Sequence, residues 1–187
     1  PTRRNCPSTT KNSAARGRRR PQDASRAMEN RLSQFTTFRL GGPCRELATV
    51  GDAAAAADVL RTWNAAGRPW RVMGGGSNLL VADAGIPECV LRVAAETPDC
   101  RLAADGTIET SAAAPLDALA EFAAANGRGG VGFAAGIPGT VGGGICGNAG
   151  AFGRQLGDVL DRVEVLTRAG ERRTLPRSAL AFAYRAS

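Results

Sequence analysis

The sequence predicts an α+β fold built as two small subdomains, with one helix in each half. Three observations carry that expectation. Short β-patterned runs alternate with helical ones from Glu46 onward. Only two long helical runs occur, Ala53 to about Ala66 and Pro115 to Asn126. Between them Glu96-Thr-Pro-Asp99 breaks the pattern, which puts the boundary near residues 95–100. The expected organisation is a disordered tail over 1–27 and subdomains over 28–97 and 98–187.

In chain order, Glu46-Leu-Ala-Thr-Val50 reads as a strand, and Asp52 is a good N-cap for the Ala-rich helix that follows. Gly67 closes that helix, with Pro69 just beyond. Strands are expected at Trp70–Met73, Leu79–Ala82 and Cys89–Val93. Arg101–Ala104 and Thr107–Ala112 flank Asp105-Gly106, a hairpin turn signal. The second helix has Pro115 at its start and Asn126-Gly127 at its end. A second hairpin joins Arg162–Thr167 to Glu171–Leu175 around Ala169-Gly170, and Pro176 to Phe182 reads as one or two helical turns.

Composition removes several function classes. The 187 residues are 43% hydrophobic and 22% charged, ordinary for a globular protein. The net charge of +7 suggests nucleic acid only until the charges are located. Residues 1–27 hold eight Arg/Lys against Asp23, leaving sixteen bases and sixteen acids in the other 160. With 5% aromatic residues and a neutral body, no nucleic-acid partner is expected. The tail has three readings: an upstream extension ahead of Met28, a transit-type targeting segment, or a weak anion-binding arm. No apolar run is long enough to span a membrane, so no membrane partner is expected. Five cysteines without a C-x-x-C pair point to a reducing cytoplasm. The absence of histidine argues against a zinc site or a histidine triad, and no metal is expected.

Two glycine segments carry the chemistry. Gly74-Gly-Gly-Ser-Asn-Leu-Leu80 directly follows the Trp70–Met73 strand. It lacks the lysine of a P-loop and does not open a helix as a Rossmann loop does. Alone it fits either a tight turn or a phosphate cradle made of backbone N–H groups with Ser77 and Asn78. The second segment, residues 134–153, is so dense in glycine that no regular helix is expected there. In it, Ile137-Pro-Gly-Thr140 can set an apolar side chain beside a flat ring. Gly142 to Gly144 can let backbone approach a ligand, and Asn148-Ala-Gly150 can offer an amide. Two backbone cradles in one chain suit a long ligand with a phosphate-bearing middle, such as a dinucleotide.

Five ordered motifs make a specific resemblance: Thr36-Thr-Phe-Arg-Leu-Gly-Gly42, Gly74-Gly-Gly-Ser-Asn-Leu-Leu80, Ala135-Gly-Ile-Pro-Gly-Thr-Val-Gly-Gly143, Asn148-Ala-Gly-Ala-Phe-Gly153 and Phe182-Ala-Tyr-Arg-Ala-Ser187. Over about residues 30–187 the chain resembles the UDP-N-acetylenolpyruvoylglucosamine reductase family of peptidoglycan precursor synthesis. The resemblance implies a two-subdomain FAD-binding fold of the vanillyl-alcohol oxidase / p-cresol methylhydroxylase type, truncated before the C-terminal substrate domain. It implies that Gly74, Gly75, Gly76, Ser77, Asn78 and Leu79 hold the FAD pyrophosphate. Gly136, Ile137, Pro138, Gly139, Thr140 and Gly143, with Asn148, Ala149 and Gly150, then line the flavin side. The implied reaction reduces an enolpyruvyl double bond to a lactyl ether with NADPH as hydride donor. Tyr184 and Arg185 contact the substrate, and Arg185 is the implied catalytic cation beside the developing enolate.

The chain departs from the family at Gly129-Gly-Val-Gly-Phe-Ala134, which lacks the acid usual before the Ile-Pro-Gly turn. The family's proton-donating serine and assisting glutamate belong to the later domain, so Ser187 is not expected to be that donor and the chain alone is expected to be inactive. Another FAD-linked oxidoreductase of the same superfamily is the alternative. Covalent flavin attachment is not expected, with no histidine and with Cys146 set deep in the glycine segment. The protein is expected to be monomeric.

Overall fold

The structure is a computed structural model that describes residues 30–187 except Glu96 and Pro98. The basic tail and Met28 therefore lie outside the described residues. The first half is a three-stranded parallel sheet of β1 (Glu46–Val50), β2 (Trp70–Met73) and β3 (Cys89–Val93), in the order β1-β3-β2. Register pairs Glu46 and Trp70 with Cys89, on either side of the central strand. Helix α1 (Ala53–Ala65) connects β1 to β2, and Asp52 caps it as expected, accepting from the Ala55 N–H at 2.9 Å.

The central strand is covered on both faces, which is why Cys89, Val90 and Leu91 are all buried. On one face Ala56, Leu60 and Trp63 of α1 pack with Val50, Cys89 and Leu91. On the other, Leu32, Cys44, Met73 and Val90 form a smaller cluster against Phe35 and Val81. Trp63 donates its indole N–H to Glu46 at 3.1 Å, and Arg68 pairs with the same carboxylate.

The second half has its own core of Ala114, Leu116, Leu119, Phe133, Ala134, Val141 and Leu156. Helix α2 (Leu116–Ala125) supplies one wall. The expected hairpins are present with shorter strands, β4 (Cys100–Leu102) with β5 (Ile108–Thr110). Their Asp105 carboxylate, which accepts from the Thr107 hydroxyl and N–H, is held below its usual range by those bonds. The later hairpin, β8 (Arg162–Leu166) with β9 (Arg172–Pro176), leans back on the first half. Leu166 packs on the α1 cluster, and Asn64 donates to the Arg168 carbonyl at 2.7 Å. The one or two helical turns expected from Pro176 to Phe182 are a single 3-10 turn, Arg177–Ala179.

Two expectations are corrected. Residues 79–82 form no strand. Their one backbone tie to the neighbouring segment is Gly42 N–H to the Ala82 carbonyl, and although Val81 packs on the smaller cluster, Leu80 is 76% exposed, so no ladder fixes them as a strand. The glycine segment, expected to reject a helix, contains α3 (Val141–Cys146). Thr140 caps it, accepting from the Gly143 N–H at 3.4 Å. The glycines serve close packing here. A Cβ on Gly142 would lie 2.9 Å from that of Ala112, and one on Gly144 would lie 2.8 Å from Leu156 Cδ1 and 3.2 Å from Leu116 Cδ1. So short a helix is held by tertiary packing that overrides propensity. Gly144→Val is expected to cost about 1–3 kcal/mol through overpacking, measurable as a lower urea midpoint. A small hairpin, β6 (Gly150–Ala151) with β7 (Arg154–Gln155), follows α3 and has no counterpart among the expected elements.

Candidate functional site

The two glycine segments, far apart in sequence, meet face to face. A Cβ on Gly74 would overlap the Thr140 hydroxyl and lie 3.8 Å from Gly143 Cα. One on Gly75 would sit 3.5 Å from Gly139 Cα, and one on Gly139 would sit 2.9 Å from Ser77 Oγ. Residues 74–77 and 139–143 are thus two sides of one seam between the halves. On the first side, Gly76 turns with φ +71° against the Phe35 carbonyl, while its own carbonyl accepts from the Thr37 N–H. The motif at residues 36–42 therefore supports the loop from behind. Asn78 and Leu79 continue it at the exposed surface.

On the second side, Gly136 has φ +81°, and its N–H donates to Asp117 at 2.6 Å, fixing the entry to the Ile-Pro-Gly turn. Ile137 packs against the second core, Pro138 is exposed, and Thr140 is buried as the cap of α3. Of the three glycines in α3, Gly142 and Gly144 pack on protein and Gly143 remains exposed. The close backbone approach expected of all three is therefore open only at Gly143.

Asn148 is buried and its amide is committed within the protein. Oδ1 accepts from the Gly157 N–H at 3.0 Å, and Nδ2 donates to the Ala183 carbonyl at 2.9 Å. The expected ligand amide is instead a tie to the chain end. Ala149 packs on the second core, and Gly150 starts β6 against the Arg154 carbonyl. Ser187 adds a second tie, its hydroxyl donating to the Cys146 carbonyl at 3.0 Å. Between these ties Ala183 and Ala186 exchange two backbone hydrogen bonds around a tight turn. Tyr184 and Arg185 project from its tip, Arg185 with φ +59° and its guanidinium 5.6 Å from the Tyr184 ring.

That turn and the β6–β7 hairpin border a cleft of about 410 Å³. Its lining brings Asn148, Gly150, Ala151, Gly153, Tyr184 and Arg185, from two of the quoted motifs, together with Arg154, Gln155 and Asp158, which sequence reasoning did not single out. Their signal was their place just after Asn148-Ala-Gly150. Asp158, the one acid of the lining, accepts from the Gln155 N–H at 3.0 Å. Arg154 and Arg185 form no ion pair among the described residues. The cleft is thus cationic and suits an anionic group. Phe152, at the tip of the hairpin with φ +53°, is 93% exposed.

The seam and the cleft lie at opposite ends of α3, about 9 Å apart at 1.5 Å per residue. Cysteine chemistry stands elsewhere: burial pushes the Cys44 and Cys89 thiols up, in the first core. Cys146, expected deep in its segment, is exposed at the end of α3. Among the described residues no group of three metal-ligating side chains occurs, and no helix is long and apolar enough to cross a membrane.

Residues 45–176 match the family described as FAD binding domain. The chain is 42% identical over 154 residues to the UDP-N-acetylenolpyruvoylglucosamine reductase of Anaeromyxobacter sp. (strain K), covering 82% of this chain and 46% of that one. It is 43% identical over 138 residues to the reductase of the same name from Synechococcus sp. (strain CC9311), covering 72% and 43%. The crystal structure of UDP-N-acetylenolpyruvylglucosamine reductase from Thermus caldophilus superposes with a TM-score of 0.69 at 36% identity. That superposition covers 83% of this chain and 54% of the Thermus chain. The chain therefore spans about half the length of the relatives it matches.

Proposed function

We propose a function from one fact: the chain belongs to the FAD-binding-domain family and, within it, to the UDP-N-acetylenolpyruvoylglucosamine reductases. The proposal is that residues 28–187 form the FAD-binding part of such a reductase, as subdomains 28–97 and 98–187. In the whole enzyme NADPH would reduce the enolpyruvyl double bond of UDP-N-acetylenolpyruvoylglucosamine to give UDP-N-acetylmuramate. We place that enzyme in the cytoplasm as a monomer.

The carrying observation is the seam where Gly74 and Gly75 face Thr140 and Gly139. The residues present fit FAD. The glycines let the two segments approach more closely than side chains would allow, since Cβ atoms on Gly74 and Gly139 would meet the Thr140 and Ser77 hydroxyls. An extended dinucleotide held by the backbone at the mouth of that seam could run along α3 toward the cationic cleft. Gly74 to Leu79 would take the pyrophosphate, and Gly136 to Thr140 with Gly143 would lie along the flavin. Asn148, Ala149 and Gly150 would shape the flavin side through backbone, since the Asn148 amide is already committed. FAD supplies a two-electron carrier between NADPH and the double bond.

The chain's own contribution to the chemistry is electrostatic. The turn that carries Arg185 is pinned by Asn148 and Ser187, so its guanidinium is presented at the cleft. Negative charge developing on the enolate beside the substrate carboxylate would be stabilised there without reorganisation. Tyr184 stacks with Arg185 and offers its ring to the same substrate. The Ser187 hydroxyl donates to the Cys146 carbonyl, which supports a structural role for it.

A mild substitution tests this directly. A Cβ on Gly75 meets protein only at ordinary contact distance, 3.5 Å or more. Gly75→Ala is therefore expected to leave the urea midpoint unchanged and to weaken FAD binding at least about tenfold, through lost backbone approach. Flavin fluorescence titration checks it. Unchanged FAD affinity in a folded Gly75→Ala protein would sink the cradle.

A further inference from the structure

We propose that Arg92 is the counter-ion of the dinucleotide's pyrophosphate, an inference that rests on the FAD reading above. Arg92 stands in β3 just after Cys89, Val90 and Leu91, three buried residues of the sheet centre. It pairs in register with Met73, the last residue of β2 before the glycine loop. Aligned residues of parallel strands point to the same face, so Arg92 shares the face of Met73. There its guanidinium lies 5.1 Å from the Phe35 ring centroid. Gly76 abuts the same two neighbours: a Cβ on it would overlap the Phe35 carbonyl and lie 3.1 Å from Met73 Cε. One cluster thus joins the arginine to the turn of the glycine loop.

The guanidinium is incompletely satisfied there. Its Nε is buried and has no hydrogen-bond partner among the described residues. No carboxylate pairs with it among those residues, whereas Arg68, just ahead of β2, and Arg71, within it, are matched by Glu46 and Glu88. The Phe35 face attracts the cation but cannot accept from its N–H edge. A buried charged donor without an acceptor is costly. Arg92 as a whole is only half-buried, and an anion arriving at the loop would supply the acceptor that its buried Nε lacks. The place is apt, since ligands of open parallel sheets lie beyond the carboxyl ends of the strands. A pyrophosphate also offers paired oxygens that match a guanidinium fork.

The test compares wild type, Arg92→Gln and Arg92→Lys in the 187-residue chain. Each is titrated with FAD and with riboflavin, which lacks both phosphates, followed by flavin fluorescence at two salt concentrations. Arg92→Gln is expected to bind FAD about tenfold more weakly, with a shallower salt dependence, and to bind riboflavin like wild type. Arg92→Lys, which keeps the charge and loses the fork, is expected to fall between. Equal FAD affinity in wild type and Arg92→Gln overturns the inference while leaving the cofactor reading intact. Equal loss of FAD and riboflavin also overturns it, since Arg92 would then only hold the fold. Should Arg92→Gln fail to fold, Arg92→Lys decides by the same FAD-against-riboflavin comparison. Wild type that binds no FAD overturns the cofactor reading and this inference with it.

Discussion

Gly139→Val is expected to abolish FAD retention. Two independent effects act on this one residue. Its backbone has φ +138°, a conformation that a β-branched side chain resists. A Cβ there would also lie 2.9 Å from Ser77 Oγ, so the valine would wedge the two glycine segments apart. The seam would widen on the side where the proposed pyrophosphate loop faces the flavin turn. The protein should still fold, because Gly139 belongs to none of the three core clusters. The measurement is flavin absorbance after desalting, alongside the circular dichroism of the apoprotein. A folded Gly139→Val protein that keeps a full complement of FAD would show that the seam does not hold the cofactor.

Local signals in the sequence survived wherever short-range chemistry decides the outcome. Asp52 caps α1 because an aspartate before an Ala-rich run satisfies an orphan N–H whatever surrounds it. Asp105-Gly106 turns the β4–β5 hairpin because Gly106, at φ +85°, meets the backbone demand of the turn. The glycine segments were legible as places of close backbone approach, yet their contact with each other at Gly74 and Thr140 was not, since nothing local encodes a meeting of distant loops. Helix α3 was hidden for the same reason. Propensity reads Gly142, Gly143 and Gly144 as breakers, whereas Ala112, Leu116 and Leu156 require small residues there. Residues 79–82 misled in the opposite direction, because a β-like apolar run forms no strand without a neighbour to pair with. Asn148, read from the sequence as offering an amide to a ligand, spends that amide within the protein. Its amide faces Gly157 and Ala183, and it thereby orients the arginine turn. Arg92 carried a signal, a lone charge in the apolar strand Cys89-Val-Leu-Arg-Val93, whose meaning depends on Phe35 and Met73 lying beside it.

In a protein of the relatives' full length, Arg185→Lys is expected to lower kcat by about 10²–10³, the usual loss for one electrostatic contact made in the transition state. Lysine keeps the charge, so the effect would come from geometry. The guanidinium is presented from a two-residue tip with Arg185 at φ +59°, and Asn148 and Ser187 fix that tip at both ends. A flexible ammonium on the same turn loses the planar fork and the stacking on Tyr184. FAD affinity should stay at the wild-type value, because the proposed cofactor contacts are to the glycine loops and to the backbone of Asn148–Gly150, none of them to the Arg185 side chain. KM for the UDP-sugar should change far less than kcat, as expected of an interaction that strengthens only when enolate charge develops. Stopped-flow kinetics can then localise the defect. Reduction of the flavin by NADPH should be near normal, and its reoxidation by the enolpyruvyl substrate should be slow. A normal kcat in Arg185→Lys, or a loss confined to FAD binding, would remove Arg185 from the chemistry and return its turn to a structural role.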